Sequence, residues 1–408
     1  MKNVDSEINE FNKIDAQSKL EQAKQYICQE NQDFKSFMLL CKKSALQGNA
    51  HSQYIMGIFY EDGIEGLENY FQVEIEADER FYNKEDSKKA LLFYEKSAKQ
   101  GYKPAQYTLG NMYFNGVGTE KDYDKSFYWF KNSKTEFACF YMGYMYEKGL
   151  SVEQDYSKAI KWYEKSANMG NSNAAYNLGV MYKMGQGTEI NNEKSVMWYE
   201  SAARKDNENA LCNLAMMYRF GDGVELDYKK SMKYYEKAAN LGNEIGMYQL
   251  GYIYNQGIGI DVDYEKARMW YEKAAILGCS DAQCNLGYLY QEGLGIDKNY
   301  AEAIKWYEKA IEQNESIAKS NLAEMYIFGH GVEPNPKKAL ELYEEALNDA
   351  RDKDDEDEIS IVLFNIAEMY EKGYGMEVDL KKAIELYEES ASYGLEEAEE
   401  RLNKLIKL

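Results

Sequence analysis

Residues 282–310 read AQCNLGYLYQEGLGIDKNYAEAIKWYEKA, a sentence that is written nine times along the 408-residue chain. Its fixed places are Ala282, Leu286, Gly287, Tyr290, Gly293, Gly295, Asn299, Ala303, Trp306, Tyr307 and Ala310. The place of Gly287 recurs at Gly57, Gly110, Gly143, Gly179, Ala215, Gly251, Ala323 and Ala367, in steps of 53, 33, 36 (five times) and 44 residues. A constant period of this length marks a solenoid, in which each repeat buries its apolar face only against its neighbours. The unequal steps place 17 extra residues in the first repeat and 8 before the last.

Ala282, Leu286, Leu289 and Tyr290 lie three or four residues apart and predict a first helix of about three turns with one apolar stripe. Glycine costs roughly 1 kcal/mol inside a helix, so its return at the Gly287 place predicts close approach of a neighbouring helix backbone. The Gly-x-Gly that follows, as at Gly293 and Gly295, reads as a helix stop. A phosphate cradle would need a strand before it and a Lys with Ser or Thr behind it, and neither is present. Asp86, Asp122, Asp155, Asn191, Asp227, Asp263, Asn299, Asn335 and Asp379 stand four residues before the alanine place of the second stripe and predict helix N-caps. Ala303, Trp306, Tyr307 and Ala310 form that stripe, closed by a glycine seven residues past the tyrosine, as at Gly278. Each repeat is therefore a helix-turn-helix hairpin, and the 38 Tyr and 5 Trp are predicted mostly to fill the core between hairpins.

A net charge of −22, from 70 acids against 48 bases, disfavours nucleic acid and anionic membrane and favours a basic partner. No run is long enough to span a bilayer, and Met1 to Ile14 holds no apolar core of signal-peptide length. Cys28, Cys41, Cys139, Cys212, Cys279 and Cys284 follow no repeat-locked pairing and read as reduced thiols, so the expected location is cytoplasmic. With no Cys-x-x-Cys and only His51 and His330, neither a metal site nor a cofactor site is expected, nor a catalytic set.

The stretch from Gly257 to Gly278, with Gly257-Ile-Gly259-Ile, Asp263-Tyr-Glu-Lys-Ala267 and Trp270-Tyr-Glu-Lys-Ala-Ala275, resembles the Sel-1-like repeat, a relative of the tetratricopeptide repeat. The resemblance runs from about Ser36 to the C-terminus. It implies an all-α, right-handed superhelical α-solenoid that serves as a protein-interaction adaptor or scaffold, binding a partner in its concave groove. Two alternatives are a bacterial effector or immunity-type protein that neutralises a specific partner, and a cell-wall or β-lactam hydrolase. The second lacks the regular cysteine pairs of the secreted relatives linked to penicillin.

In related tetratricopeptide folds the place two residues before the repeat glycine looks into the groove. Here it holds Asn177, Asn213, Gln249, Asn285, Asn321 and Asn365, an amide ladder that could pair with an extended chain or bond the next repeat. One turn along stand Tyr144, Tyr252 and Tyr288. No Lys or Arg stands at the ladder place to clamp a free carboxylate.

The first insertion, at about 63–82, includes Tyr70, Phe71, Glu74, Glu76 and Glu79 and predicts a protruding loop for a basic, partly apolar partner. The second, at about 348–359, has Ala350 where a stop glycine is due, so the helix after Tyr343 is predicted to run on into a solvated acidic stretch ending at Glu358. That stretch could steer a basic ligand or weakly attract a divalent cation. The full plan is a flexible N-terminus at 1–14, a degenerate capping hairpin at 15–48, nine repeats at 49–394 and a capping helix at 395–408 with Ala398, Leu402 and Ile406 on its apolar stripe.

Overall fold

Two alternating apolar stripes resolve as a succession of helix hairpins. The structure, a computed structural model, describes residues 17–24, 34–72 and 86–406, and every regular element among them is an α-helix. The chain divides into two units, Met1–Ala210 and Leu211–Leu408.

In the first unit residues 17–24 are helical and precede α1 (Phe34–Leu46), α2 (Ala50–Phe71), α3 (Ser87–Lys99), α4 (Lys103–Asn115), α5 (Tyr123–Ser133), α6 (Glu136–Lys148), α7 (Tyr156–Asn168), α8 (Ser172–Met184) and α9 (Asn192–Ala203). Here α2 pairs with α3, α4 with α5, α6 with α7 and α8 with α9, and α3, α5 and α7 each touch the helix that follows. The unit boundary falls in α10 (Glu208–Phe220). The second unit continues with α11 (Tyr228–Asn240), α12 (Glu244–Gln256), α13 (Tyr264–Ile276), α14 (Ser280–Glu292), α15 (Tyr300–Ile311), α16 (Ser316–Phe328), α17 (Pro336–Asp352), α18 (Glu356–Lys372), α19 (Leu380–Ser392) and α20 (Glu396–Leu405). There α12 pairs with α13, α14 with α15, α16 with α17 and α18 with α19, stacked in the same way.

All nine predicted caps form. The side chain of each Asp or Asn accepts the backbone N–H three residues on, from Asp86 with Lys89 to Asp379 with Lys382. The cap's own N–H donates back to a first-helix tyrosine carbonyl in every repeat, at 2.8 Å from Asn299 to Tyr290 and 3.0 Å from Asp379 to Tyr370. One residue thus starts the second helix and ties it to the first.

Tyr94, Tyr163, Tyr199, Tyr235, Tyr271, Tyr307 and Tyr387 are at most 1% exposed and form the centre of their hairpins, with Phe130 taking the place in the second repeat. A Cβ on Gly57, Gly110, Gly143, Gly179, Gly251 or Gly287 would lie 2.4–2.7 Å from that ring. The repeat glycine therefore makes room for the aromatic ring of its own hairpin, not for a neighbouring backbone as the sequence suggested. The second glycine of Gly-x-Gly makes the contact between repeats. A Cβ on Gly295 would lie 2.4 Å from the Tyr264 carbonyl carbon, at the start of the preceding repeat's second helix.

Both insertions depart from expectation. Gly63 holds the first-helix stop place with φ 67° and ψ −142°, yet the chain turns helical again and buries Ile64 and Leu67. Tyr70 and Phe71 are half-buried within α2, so this part is a packed helix, not a protruding loop. Phe71 meets Phe37 edge-on at 5.6 Å, and the Tyr70 hydroxyl lies 2.7 Å from His51 Nε2. Glu74, Glu76 and Glu79 lie outside the described residues, as does the expected flexible N-terminus. In the second insertion the helix does not run through the acids. It ends at Asp352, turns at Asp354 with φ 53°, and restarts at Glu356 behind the Asp355 cap. The stop has slipped one turn past Ala350, onto a residue type that tolerates this backbone.

At the chain ends, Phe34, Phe37 and Ala45 of α1 are buried in the core that holds Phe59 and Leu67. Ala398 of α20 is buried and Leu402 half-buried, but Ile406 is 62% exposed, because α20 stops one residue short of it.

Candidate functional site

The predicted amide ladder divides between the units. In the first, Asn177 on α8 faces the Tyr163 hydroxyl, and together with Tyr144, Glu147 and Lys148 of α6 it borders a shallow depression of about 210 Å³. In the second, Asn213 is half-buried on α10 and Asn285 on α14 faces Tyr248. The Gln249 Oε1 accepts from Arg219 Nη1 at 3.1 Å, and the Arg219 guanidinium lies 5.1 Å from the Tyr252 ring. Arg219 is a cation beside the ladder that sequence reasoning missed, because it stands four residues after the repeat alanine and not at the ladder place. Tyr288 is 44% exposed and borders none of these features.

Asn321 and Asn365 are brought together. They face one cleft of about 490 Å³ between α16 and α18, with Tyr343 of α17 beneath and Tyr374 at one end. Both walls follow helical spacing. Ile317, Ser320, Asn321, Glu324 and Phe328 come from α16, and Asp357, Glu358, Ile361, Asn365 and Glu368 from α18. Ile317 with Ile361, Asn321 with Asn365 and Glu324 with Glu368 hold equivalent repeat places, so the cleft is layered. Ile317, Phe328 and Ile361 are each about half exposed.

Among the described residues no Lys or Arg lines this cleft, whereas Glu324, Asp355, Asp357, Glu358 and Glu368 do. Burial, and then the neighbouring Glu292 and Glu368, push the Glu324 carboxyl above its ordinary range, against a smaller opposing effect of His330. Burial chiefly raises Glu358 as well, opposed by a hydrogen bond from Ser316, whose Oγ donates to Glu358 Oε2 at 2.6 Å. The other oxygen, Oε1, is buried without a partner, as is the Ser320 hydroxyl. Glu368 accepts from Lys372 at 2.6 Å. Such a surface offers acceptors to cations and N–H donors, with apolar side chains between them.

The acidic stretch is thus not wholly solvated. Asp355 and Asp357 are exposed, but Glu358 is only 9% exposed. Its inward position could have been read from Ile359, Val362 and Ile366, whose spacing continues the α18 stripe back by one turn. Among the described residues no cluster of three or more His, Cys, Asp or Glu could hold a metal ion. No disulfide joins the described cysteines, and burial raises Cys41 to about 12. Among the described residues no helix is long and apolar enough to cross a membrane.

The Sel1 repeat family model matches residues 50–71, 83–102, 103–133, 137–171, 172–207, 209–243, 245–279, 280–315, 316–349 and 360–394. The gap between the first two stretches, 72–82, falls in the second half of the first insertion. Among solved structures, a protective antigen present in uropathogenic Escherichia coli strains, described as displaying an SLR fold, is 32% identical with a TM-score of 0.81, over 96% of this chain and 79% of that one. A Sel1 repeat protein from Oxalobacter formigenes is 25% identical with a TM-score of 0.52, over 90% of each chain. An immunity protein from Pseudomonas aeruginosa is 19% identical with a TM-score of 0.33, over 57% of this chain and 82% of that one, a likeness that carries no argument about function. Comparison with the curated proteins finds no match.

Proposed function

This chain belongs to the Sel1 repeat family, and from that premise we propose that it is a protein-interaction module that receives a basic, partly apolar segment of a partner protein in the cleft between α16 and α18. The observation that carries this reading is the lining of that cleft, five carboxylates interleaved with exposed isoleucine and phenylalanine and, among the described residues, no Lys or Arg. A chain of net charge −22 also draws basic partners over long range, which speeds encounter and disfavours acidic competitors. The apolar layers then supply contact area that a purely charged patch lacks. Recognition, not catalysis, is the role of the carboxylates in this reading.

Affinity capture with the purified protein, at low and moderate salt, tests it. Glu324→Lys/Glu368→Lys should release the partner that the unaltered chain retains, with an unchanged circular dichroism spectrum. Retention of the same partner by this variant would move the interaction elsewhere on the molecule.

A further inference from the structure

Glu358 is the third residue after its helix cap, a place from which a glutamate usually reaches back to the cap's own N–H. That N–H is already committed, since Asp355 donates to the Ala350 carbonyl at 2.9 Å. Glu358 turns instead across the repeat, where Ser316 satisfies Oε2 and nothing among the described residues satisfies Oε1, although the residue is only 9% exposed. Lys353 is the cation that acts on it, and the Lys353 ammonium is held by the Asn314 carbonyl at 3.0 Å. A buried carboxylate oxygen without a donor, on a residue that lines a cleft, is a place prepared for one.

The opposite end of the cleft carries a second acceptor pair. Glu324 faces Glu292, Glu368 and His330, and among the described residues the ammonium on Glu368 is that of Lys372, an i,i+4 neighbour at the surface that a partner cation can replace at little cost. Between the two ends lie Ile317 and Ile361, then Asn321 and Asn365. Amides can pair with the N–H and C=O of an extended chain, whereas a helical occupant has already used those groups. Glu358 and Glu368 are ten residues apart on α18, which at 1.5 Å per residue is about 15 Å. An extended strand covers that length in about four to five residues.

Resting on the interaction reading above, we propose that the cleft binds an extended segment carrying two cationic side chains about four to five residues apart, one seated on Glu358 and the other between Glu324 and Glu368, with apolar residues between them.

Fluorescence anisotropy of the full chain with a series of labelled, end-blocked peptides tests the spacing. Each peptide carries two arginines separated by zero to eight Leu, Val or Ser residues, and a control series carries citrulline in place of arginine. Affinity should peak where the arginines stand four or five residues apart, at least about tenfold above the adjacent pair, and vanish with citrulline. The triple variant E324Q/E358Q/E368Q should lose at least about tenfold at that peak while keeping its circular dichroism spectrum. Affinity independent of spacing but lost in the triple variant would overturn the two-anchor inference and leave the acidic-cleft reading standing. Affinity unchanged in the triple variant would overturn both.

Discussion

Seventeen residues enter the first repeat between its two helices, whereas eight enter at the joint before the last repeat, and the chain absorbs them in different ways. In the first repeat the Asp86 N–H still reaches the Tyr60 carbonyl at 2.7 Å, the same closure that regular repeats make across nine residues. Part of the added chain is the packed end of α2, where Ile64 and Leu67 are buried. The eight residues instead become regular structure, since α17 and α18 each have 17 residues where α16 and α19 have 13. Four residues are about one helical turn, so both antiparallel partners grow by a turn at the same end and their register is kept. An insertion inside a hairpin can thus leave the closing bond intact, but one shared between stacked helices is suited only to matched turns.

The comparison breaks most readily at the buried rings. Tyr94→Ala in the first repeat and Tyr343→Ala beneath the cleft should each cost about 3–5 kcal/mol, the usual loss for a large core ring, measured by denaturant unfolding. A clearly smaller loss at Tyr94 would mean that the inserted repeat is loosely closed. Next comes helix length. Removing one turn from α17 alone should destabilise by about 1–3 kcal/mol more than removing one turn from both α17 and α18, because only the single deletion spoils the pairing. The reverse order would contradict the matched-turn account. Cap loss at a regular hairpin, as in Asn299→Ala, should cost about 1 kcal/mol and provides the scale for both.

The smallest effect is a difference in pH response between the extended joint and the regular caps. Glu315, Glu324 and Glu358 are raised by burial and then by neighbouring acids, so their charged forms burden the fold at neutral pH and the burden is relieved as pH falls through those raised values. Asp86, Asp122, Asp155 and Asp263 are lowered by the ammonium and backbone N–H of the lysine three residues on. Their contribution is present above the ordinary aspartate value and is lost as pH falls through the lowered one. Melting temperature should therefore rise slightly on mild acidification before it falls. E358Q should raise it by about 2 °C at neutral pH and flatten that rise; a lowered melting temperature would show that the charge is already compensated.

Most of the fold was legible because each repeat states its own helix ends. Asp263 and its eight counterparts cap where spacing places them, and Gly257 stops α12 in the left-handed conformation expected of it. The purpose of Gly251 was not legible, since spacing alone does not say whether a ring or a backbone lies opposite; Tyr271, twenty residues on, is the ring. At Asp354 a stop was overlooked because it carries no glycine. For the candidate cleft, the sequence proposed Asn321 and Asn365, which both line it, but not their company. The acids of the cleft belong to α16, to α18 and to the turn between α17 and α18, and only folding sets Glu358 beside Ser316.

The closure between Tyr60 and Asp86 also makes the first repeat a port for foreign sequence. Because that bond forms with the extra residues in place, a reporter domain or an epitope spliced between Phe71 and Asp86, past the packed end of α2, should leave the remaining hairpins undisturbed, giving the molecule a handle far along the chain from its acidic cleft.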